Sequence, residues 1–288
     1  MINRNRNLVL IGSFILSSLI SCTENPFSDP PEIGSTQIKG QVLLNKHIDN
    51  SGVYVWLEQM GASAFTNVDG EFLITIPPPG SQGGGGGIDG DLFMYFYLAN
   101  YKLDSVKVAF LRGVPLASEG DLDGEGNVDG IIHLFNLLNV ELKFGNETIS
   151  MSGFGRLRIT ITLNSPQPDP VRVVVTKLGP QEPLPLAAFF IRKVDSEESI
   201  LRINDIGTYF EYVEFISRQE DLIYEFSIGF SAGELPVGIY EVIPYLKVRD
   251  VNPPSELLKT FGEHIFEYHA DYLNLPFKRS SANITLTE

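Results

Sequence analysis

The chain's densest run of chemistry-bearing residues is Asp121-Leu122-Asp123-Gly124-Glu125-Gly126-Asn127-Val128-Asp129. Acids occupy the first, third and fifth places of the run, a glycine the sixth, and another acid the ninth. Calcium takes about six to eight oxygen ligands, and a glycine at the sixth place permits the sharp turn that makes such oxygens converge. The implied ligands are Asp121, Asp123, Glu125, the backbone carbonyl of Asn127, and Asp129 directly or through water. The twelfth place holds Ile132, where a bidentate acid belongs. Affinity for calcium should therefore be weak, roughly 10⁻⁴–10⁻³ M. The same nine residues also read as a solvated acidic turn.

A second cluster joins His264 and His269 to Glu263, Glu267 and Asp271. A separation of five puts the two imidazoles on opposite faces of a strand, and well apart in angle on a helix. The H-E-x-x-H spacing of a zinc helix is absent. The segment reads as partly exposed polar chain and not as a metal site. Gly85-Gly86-Gly87-Ile88-Asp89-Gly90 spells G-x-G-x-x-G, but it follows a proline stop and precedes a strand-like run. A dinucleotide fingerprint must follow a strand and open a helix, so this is a flexible hairpin insertion. There is no G-x-S-x-G elbow and no P-loop, and the one cysteine is Cys22. The sequence predicts no catalytic centre. The alternative is a hydrolase with dispersed carboxylates, whose spacing in sequence says little about spacing in space.

The elements that must position these groups are strands. Val53, Val55 and Leu57 alternate with Tyr54 and Trp56, a period of two that places the aliphatics on one face. Phe72, Ile74 and Ile76 alternate in the same way, and Pro77-Pro78-Pro79-Gly80 then stops pairing because proline has no N–H to donate. Leu92 to Leu98 is a continuous apolar run, read as a buried strand, and Val106, Val108 and Phe110 alternate again. After the acidic run, Ile131, Leu134, Phe135 and Leu138 have helical spacing, whereas Val140, Leu142 and Phe144 alternate as a strand. Leu157, Ile159, Ile161 and Leu163 form a half-buried strand. Further strands are expected over 171–178, 187–194, 222–230, 240–248 and 282–286. Short strands separated by turns argue a sandwich. The alternation also puts Tyr54 and Trp56 on the face away from the aliphatics. An outward aromatic pair can stack on a sugar or anchor a partner. Alternatively, the second domain or the insertion from Gly83 to Asp129 covers it.

Three resemblances add to this reading. Ile38-Lys39-Gly40-Gln41-Val42, then Ser51-Gly52-Val53-Tyr54-Val55, then Thr66-Asn67-Val68-Asp69-Gly70-Glu71-Phe72 with Ile74 resembles the carboxypeptidase regulatory-like family. That resemblance implies a small transthyretin-like β-sandwich without catalytic residues. It covers about 40 residues and weakens after Pro79. The acidic run is similar to the start of an EF-hand or dockerin-type calcium loop. At the N-terminus, Arg4 and Arg6 precede an apolar stretch from Leu8 to Ile20, and Leu19-Ile20-Ser21-Cys22 resembles the lipobox of bacterial lipoproteins. The stretch has the length of a signal core and falls short of the roughly 20 apolar residues a membrane span needs. Lipidation and cleavage at Cys22 are expected, the alternative being an uncleaved anchor. Thr23 follows Cys22; in enterobacterial lipoproteins an Asp at that place retains the protein at the inner membrane, so the outer membrane of a Gram-negative bacterium is implied.

The formal net charge is −15, which keeps a protein soluble and repels phosphate backbones. Nucleic acid is therefore excluded as a partner class. With no cysteine after Cys22, the mature chain holds itself together by its cores and not by disulfides. The expected organisation is all-β: a lipoprotein signal over 1–21 and a tether over 22–37, too poor in apolar side chains to repay ordering. A transthyretin- or prealbumin-like sandwich over 38–149 and an Ig- or fibronectin-like sandwich over 150–288 follow. The implied function is non-catalytic: a cell-envelope lipoprotein, membrane-held by lipid, that binds an envelope protein or glycan or acts as a spacer. The alternatives are a calcium-stabilised surface assembly module and the hydrolase above.

Overall fold

The computed structural model describes residues 36–45, 47–82, 86–117, 119–178, 186–196, 200–203, 209–280 and 282–288. The signal, Cys22 and nearly all of the tether lie outside the described residues. The chain is all-β, arranged in several sheets around apolar cores.

The first sandwich contains β1 (Gln37–Leu44), β2 (Tyr54–Leu57), β3 (Ala62–Phe65), β4 (Glu71–Thr75), β5 (Gly90–Tyr97), β6 (Asp104–Leu111), β7 (Val114–Pro115) and β8 (Ile132–Leu134). They form a three-stranded sheet, β4-β1-β8, and a five-stranded sheet, β3-β2-β5-β6-β7. The aliphatic faces read from alternation do become the core between them: Ile38, Val42, Val53, Val55, Leu57, Phe72, Ile74, Met94, Phe96 and Val108 lie in one buried cluster. The turn from Thr66 to Phe72 is built by its own side chains. Thr66 Oγ1 accepts from Val53 N at 3.0 Å and donates to Asn50 O at 2.7 Å. Gly70 has φ +81°, and a Cβ there would lie 2.0 Å from Val42 O, so the Asp-Gly turn admits only glycine.

Three local readings change. β5 is not buried on both faces throughout: Phe93 is exposed while Leu92, Met94 and Phe96 are inside, and only its end, at Tyr97, is covered on both. The helical spacing after Asp129 does not form a helix. Ile132–Leu134 pairs in parallel with Val42–Leu44, which leaves Ile131 and Phe135 on the surface. The boundary also moves. β9 (Asn139–Phe144) pairs with β11 (Gly155–Asn164), and β10 (Thr148–Ser150) pairs with a strand near the C-terminus, so both belong to the second sandwich, which begins at Asn139 and not at Ser150.

The second sandwich adds β12 (Val171–Leu178), β13 (Phe189–Lys193), β14 (Ile200–Ile203), β15 (Tyr209–Ile216), β16 (Leu222–Phe230), β17 (Gly238–Pro244), β18 (Leu246–Val248), a one-turn α1 (Ser255–Lys259) and β19 (Asn283–Thr287). The sheets are β10-β19-β17-β13-β14, β16-β11-β9 and β15-β12-β18. Leu157, Ile159, Ile161 and Leu163 of β11 meet Val173 and Val175 of β12, Phe189 and Ile191 of β13, and Tyr240 and Val242 of β17 in a shared core. The strand expected over 240–248 divides at Tyr245: β17 pairs with β13, and β18 crosses to β12. The Tyr272 hydroxyl secures the crossing by bonding both Leu246 N, at 3.2 Å, and Leu246 O, at 2.9 Å. Burial raises the Tyr272 phenol above its ordinary value and keeps it a donor.

From Arg249 to Lys278 the chain runs as a strap of turns and short helices that the periodicity did not foretell. Its buried residues Val251, Leu257, Phe261 and Ile265 join Tyr54, Trp56, Tyr97 and Ala99 of the first sandwich in the same hydrophobic cluster as the second core. The two sandwiches are thus fused through an apolar seam. Among the described residues, no helix is long and apolar enough to cross a membrane.

Candidate functional site

Tyr54 and Trp56 lie on the face opposite the aliphatics, as alternation requires, but that face is covered. Each is only 7% exposed. The Tyr54 ring lies 4.7 Å from Phe261 of the strap and 5.1 Å from Phe65, and Trp56 stacks on Tyr95 at 5.9 Å. The expectation of a presented aromatic pair is corrected: β2 is sandwiched between its own core and the second domain, and both residues act as seam.

The acidic run forms a tight hairpin held by its own bonds. Leu122 and Val128 bridge across it, and Gly126 takes the positive φ expected at the sixth place. The Asp123 carboxylate is occupied locally. Its Oδ1 accepts from Glu125 N and Asn127 N, and its Oδ2 from Asn127 Nδ2 at 2.6 Å. The Asn127 side chain is the main reason its carboxyl is held below the ordinary range. Asp121 turns away, with Oδ2 accepting from Lys107 N of β6 at 2.7 Å. Asn127 bridges to Lys39, so the hairpin is tied to β1 as well. Asp121, Asp123, Glu125, Asn127 and Asp129 do not gather around one point: among the described residues, no three His, Cys, Asp or Glu side chains are placed to hold a metal.

His264 and His269 are brought together, against the expectation from their spacing. Their ring centroids are 4.6 Å apart. The segment is neither strand nor continuous helix. Gly262 at φ +152° turns the chain, and Asp271 closes it by accepting from His264 N at 2.8 Å while its own N–H bonds His269 Nδ1 at 3.2 Å. The bond donated by His264 N is the leading cause of the lowered Asp271 carboxyl. Asp271 works here as a local staple. The G-x-G-x-x-G run ends by opening strand β5 at Gly90. Inside the second sandwich, Lys177 Nζ pairs with Glu214 Oε1 at 2.6 Å beneath the Tyr212 ring.

A different place gathers polar groups. Between the end of β1, the loop after β5, the linker from Leu134 to Asn139 and the loop after β11 runs a cleft of two adjoining cavities, about 350 Å³ and 180 Å³, which share His47, Asn136 and Asn139. Tyr101 lines the larger, and Asn45 and Gln167 the smaller. Asn100, next to Tyr101, ties the flanking segments together: its Nδ2 donates to Leu138 O at 2.9 Å and Lys278 O at 2.7 Å, and its Oδ1 accepts from Lys278 N at 3.0 Å. Gln167 Nε2 donates to Asn136 O at 2.6 Å, tying the β11 loop to the linker. At the rim, Lys278 Nζ pairs with Asp49 Oδ2 at 2.7 Å, which with Ser51 holds the Asp49 carboxyl well below the usual carboxylate range. Two buried atoms of the wall, Tyr101 Oη and Asn136 Oδ1, have no hydrogen-bond partner. Burial raises the Tyr101 phenol, and the neighbouring Asn136 side chain lowers it by less. Sequence reading missed this cleft, whose residues come from five separate stretches and share no spacing.

No family model matches the sequence. No curated protein matches it. Among solved structures, the chain is similar to the crystal structure of the major pilin subunit of Bacillus cereus, at 11% identity and a TM-score of 0.26. The match covers 72% of this chain and 62% of the pilin, so the chain spans less than two thirds of that protein's length. Nothing about the pilin's assembly is carried over at that level of likeness.

Proposed function

We propose that the chain is a non-catalytic module of the bacterial cell envelope, lipidated at Cys22 and held at the outer membrane. Its two sandwiches act as one rigid body that presents a binding face away from the bilayer. The observation that carries this reading is the apolar seam. Tyr54, Trp56, Tyr97, Leu257 and Phe261 belong to one cluster with the core of the second sandwich. Independent domains meet through smaller, more polar contacts and move relative to one another. A continuous core instead fixes their angle, which suits a spacer or a presenting scaffold. The regulatory-like resemblance of the first sandwich fits an accessory role, and function on such scaffolds resides in loops and junctions.

The test uses the chain's one tryptophan, which sits in the seam. Denaturant unfolding of the whole protein, followed by Trp56 fluorescence and by far-ultraviolet circular dichroism, should give coincident transitions. Two separated transitions would overturn the rigid-body reading. Mass spectrometry of the mature N-terminus should find Cys22 carrying acyl chains, since several chains are needed for firm anchoring; a lipid-free N-terminus would overturn the anchor.

A further inference from the structure

β15 ends its sheet, which runs β15-β12-β18, and bonds made by β12 fix which backbone groups of β15 face outward. Arg172 N donates to Asp250 Oδ2 beyond β18, and Thr176 O accepts from Ala187 N. The even-numbered residues of β12 therefore turn away from β15. Ladder bonds alternate along an antiparallel pair, so the odd-numbered residues of β12 bond β15, through their register partners Tyr212 and Glu214. The N–H and C=O groups of Glu211, Val213 and Phe215 are left pointing out of the sheet. Among the described residues, no hydrogen bond reaches them. The edge is closed just past its end, where Ser165 N donates to Ser217 O at 3.3 Å.

Natural edges are blunted by lysine, proline or a bulge. β15 has none of these, and its eight residues pair with β12 without interruption. Its outer row exposes Val213 (40%) and Phe215 (67%). Its two acids are already balanced, Glu211 by Lys247 at 3.4 Å and Glu214 by Lys177 at 2.6 Å. In a chain of net charge −15, this edge carries no net charge, and salt screens the more distant acids over about 8 Å. β16, the other long edge strand, differs: its outward row holds Glu225 and Gly229, and Phe154 lies against Gly229.

Self-complementarity selects the partner. An antiparallel copy related by a two-fold axis through Val213 sets the three outward residues opposite one another. Val213 meets its counterpart, Glu211 meets Phe215 on either side, and each such pair exchanges both of its ladder bonds. Glu214 then faces Tyr212, so no acid opposes an acid. A charged foreign strand finds no countercharge left over on this edge.

We infer that β15 docks a second copy of this chain, edge to edge, to form an isologous dimer with one continuous sheet, β18-β12-β15-β15-β12-β18. The inference goes beyond the rigid-module reading and does not depend on it.

The experiment measures the mass of the detergent-solubilised whole protein by density-matched sedimentation over a roughly hundredfold range of concentration. The mass should rise from one protomer to two. Val213→Pro removes the central outward N–H, which an edge strand tolerates, and Val213→Lys keeps the backbone but sets two like charges opposite each other on the axis. Each should stay folded by circular dichroism and remain a single protomer; if the proline disturbs folding, the lysine variant decides. Val213→Cys reads the register. Paired residues of this kind lie about 5.5 Å apart at Cα, inside the disulfide range of about 4.4–6.8 Å. Mild oxidation should cross-link it several-fold faster than Leu73→Cys, a similarly exposed site on β4 of the first sandwich, with the native protein and its Cys22 as baseline. Three results would overturn the inference: one protomer at every concentration, a dimer that survives Val213→Lys, or Val213→Cys cross-linking no faster than Leu73→Cys. The two-probe unfolding test follows each protomer's own seam, so failure here and failure of the rigid-module reading are separately visible.

Discussion

The acidic hairpin and the junction cleft are opposites. The hairpin has the residues a chemist would pick first, packed into nine consecutive positions, yet Asp121, Asp123 and Asn127 spend bonding capacity on one another and on a neighbouring strand. Asp123 bonds its own loop, Asp121 the backbone of β6, and Asn127 closes onto Asp123. The cleft gathers asparagine, histidine, glutamine and tyrosine from separate stretches between Asn45 and Gln167, and its wall retains two unsatisfied atoms. Proximity along the chain favours local satisfaction, because short side chains reach their own backbone at little entropic cost. Convergence from distant segments is where unmet polar capacity survives.

The largest effect that sharpens this contrast concerns what holds the cleft's walls together. Trp56→Ala empties the seam beneath the junction. Removing a buried aromatic costs about 3–5 kcal/mol, and the loss should appear as a large fall in denaturant midpoint. A shift close to zero would mean that the seam is loose and the cleft is not a fixed feature.

Next in size is Asn100→Ala. Asn100 is almost fully buried and satisfies Leu138 O, Lys278 O and Lys278 N. Truncation leaves buried backbone groups without partners, at about 1–3 kcal/mol. Hydrogen exchange should quicken at Lys278 N while the core of β11 stays protected. Equal quickening throughout would assign Asn100 to global stability and not to the junction.

The contrast also explains which parts were legible in the sequence. Alternation of Val53, Val55 and Leu57, of Phe72, Ile74 and Ile76, and of Leu157 to Leu163 located strands and inward faces, because the strand period is a local property. The Asp69-Gly70 turn was legible for the same reason. What covers a second face is not local. Tyr54 and Trp56 looked presented, but Phe261, some two hundred residues on, sits against Tyr54, and both rings are buried in the seam. His264 and His269 looked separate because strand and helix were the geometries weighed, and the strap is neither. The cleft left no trace in the sequence, since its residues are joined only by topology.

A smaller effect lies at the cleft's rim, in Asp49 and Lys278. The Asp49 carboxyl is depressed first by Lys278 and then by Ser51. A depressed carboxyl stabilises the fold above its unfolded value, about 3.9, and that contribution is lost as pH falls through the lower folded value. The Asp49 side chain is 55% exposed, so the pair is worth only about 0.2–1 kcal/mol. Asp49→Asn should therefore melt slightly below the native protein at pH 7 in low salt. The gap should close in acid and also in high salt. A gap that persists under both conditions would point to packing and not to charge.

The smallest expected effect bears directly on the hairpin. If the acidic run bound calcium as its spacing suggests, a free concentration about 100-fold above the dissociation constant would add about 2.7 kcal/mol to stability. The structure leads to a different expectation. Asp121 is turned to Lys107 N, the Asp123 carboxylate is filled by three donors of its own loop, and Ile132 supplies no bidentate acid. To ligate calcium, the hairpin would have to bring together carboxylates that, among the described residues, are not placed to share a metal. Thermal melts in 10 mM calcium and in EDTA, compared at about the same ionic strength so that screening of the chain's acidic surface is held constant, should coincide. A calcium-dependent rise at matched ionic strength, abolished by Asp123→Ala, would show that the loop rearranges to bind. Crowding along the sequence would then produce a site after all, and the lesson drawn from the two regions would fail at its strongest point.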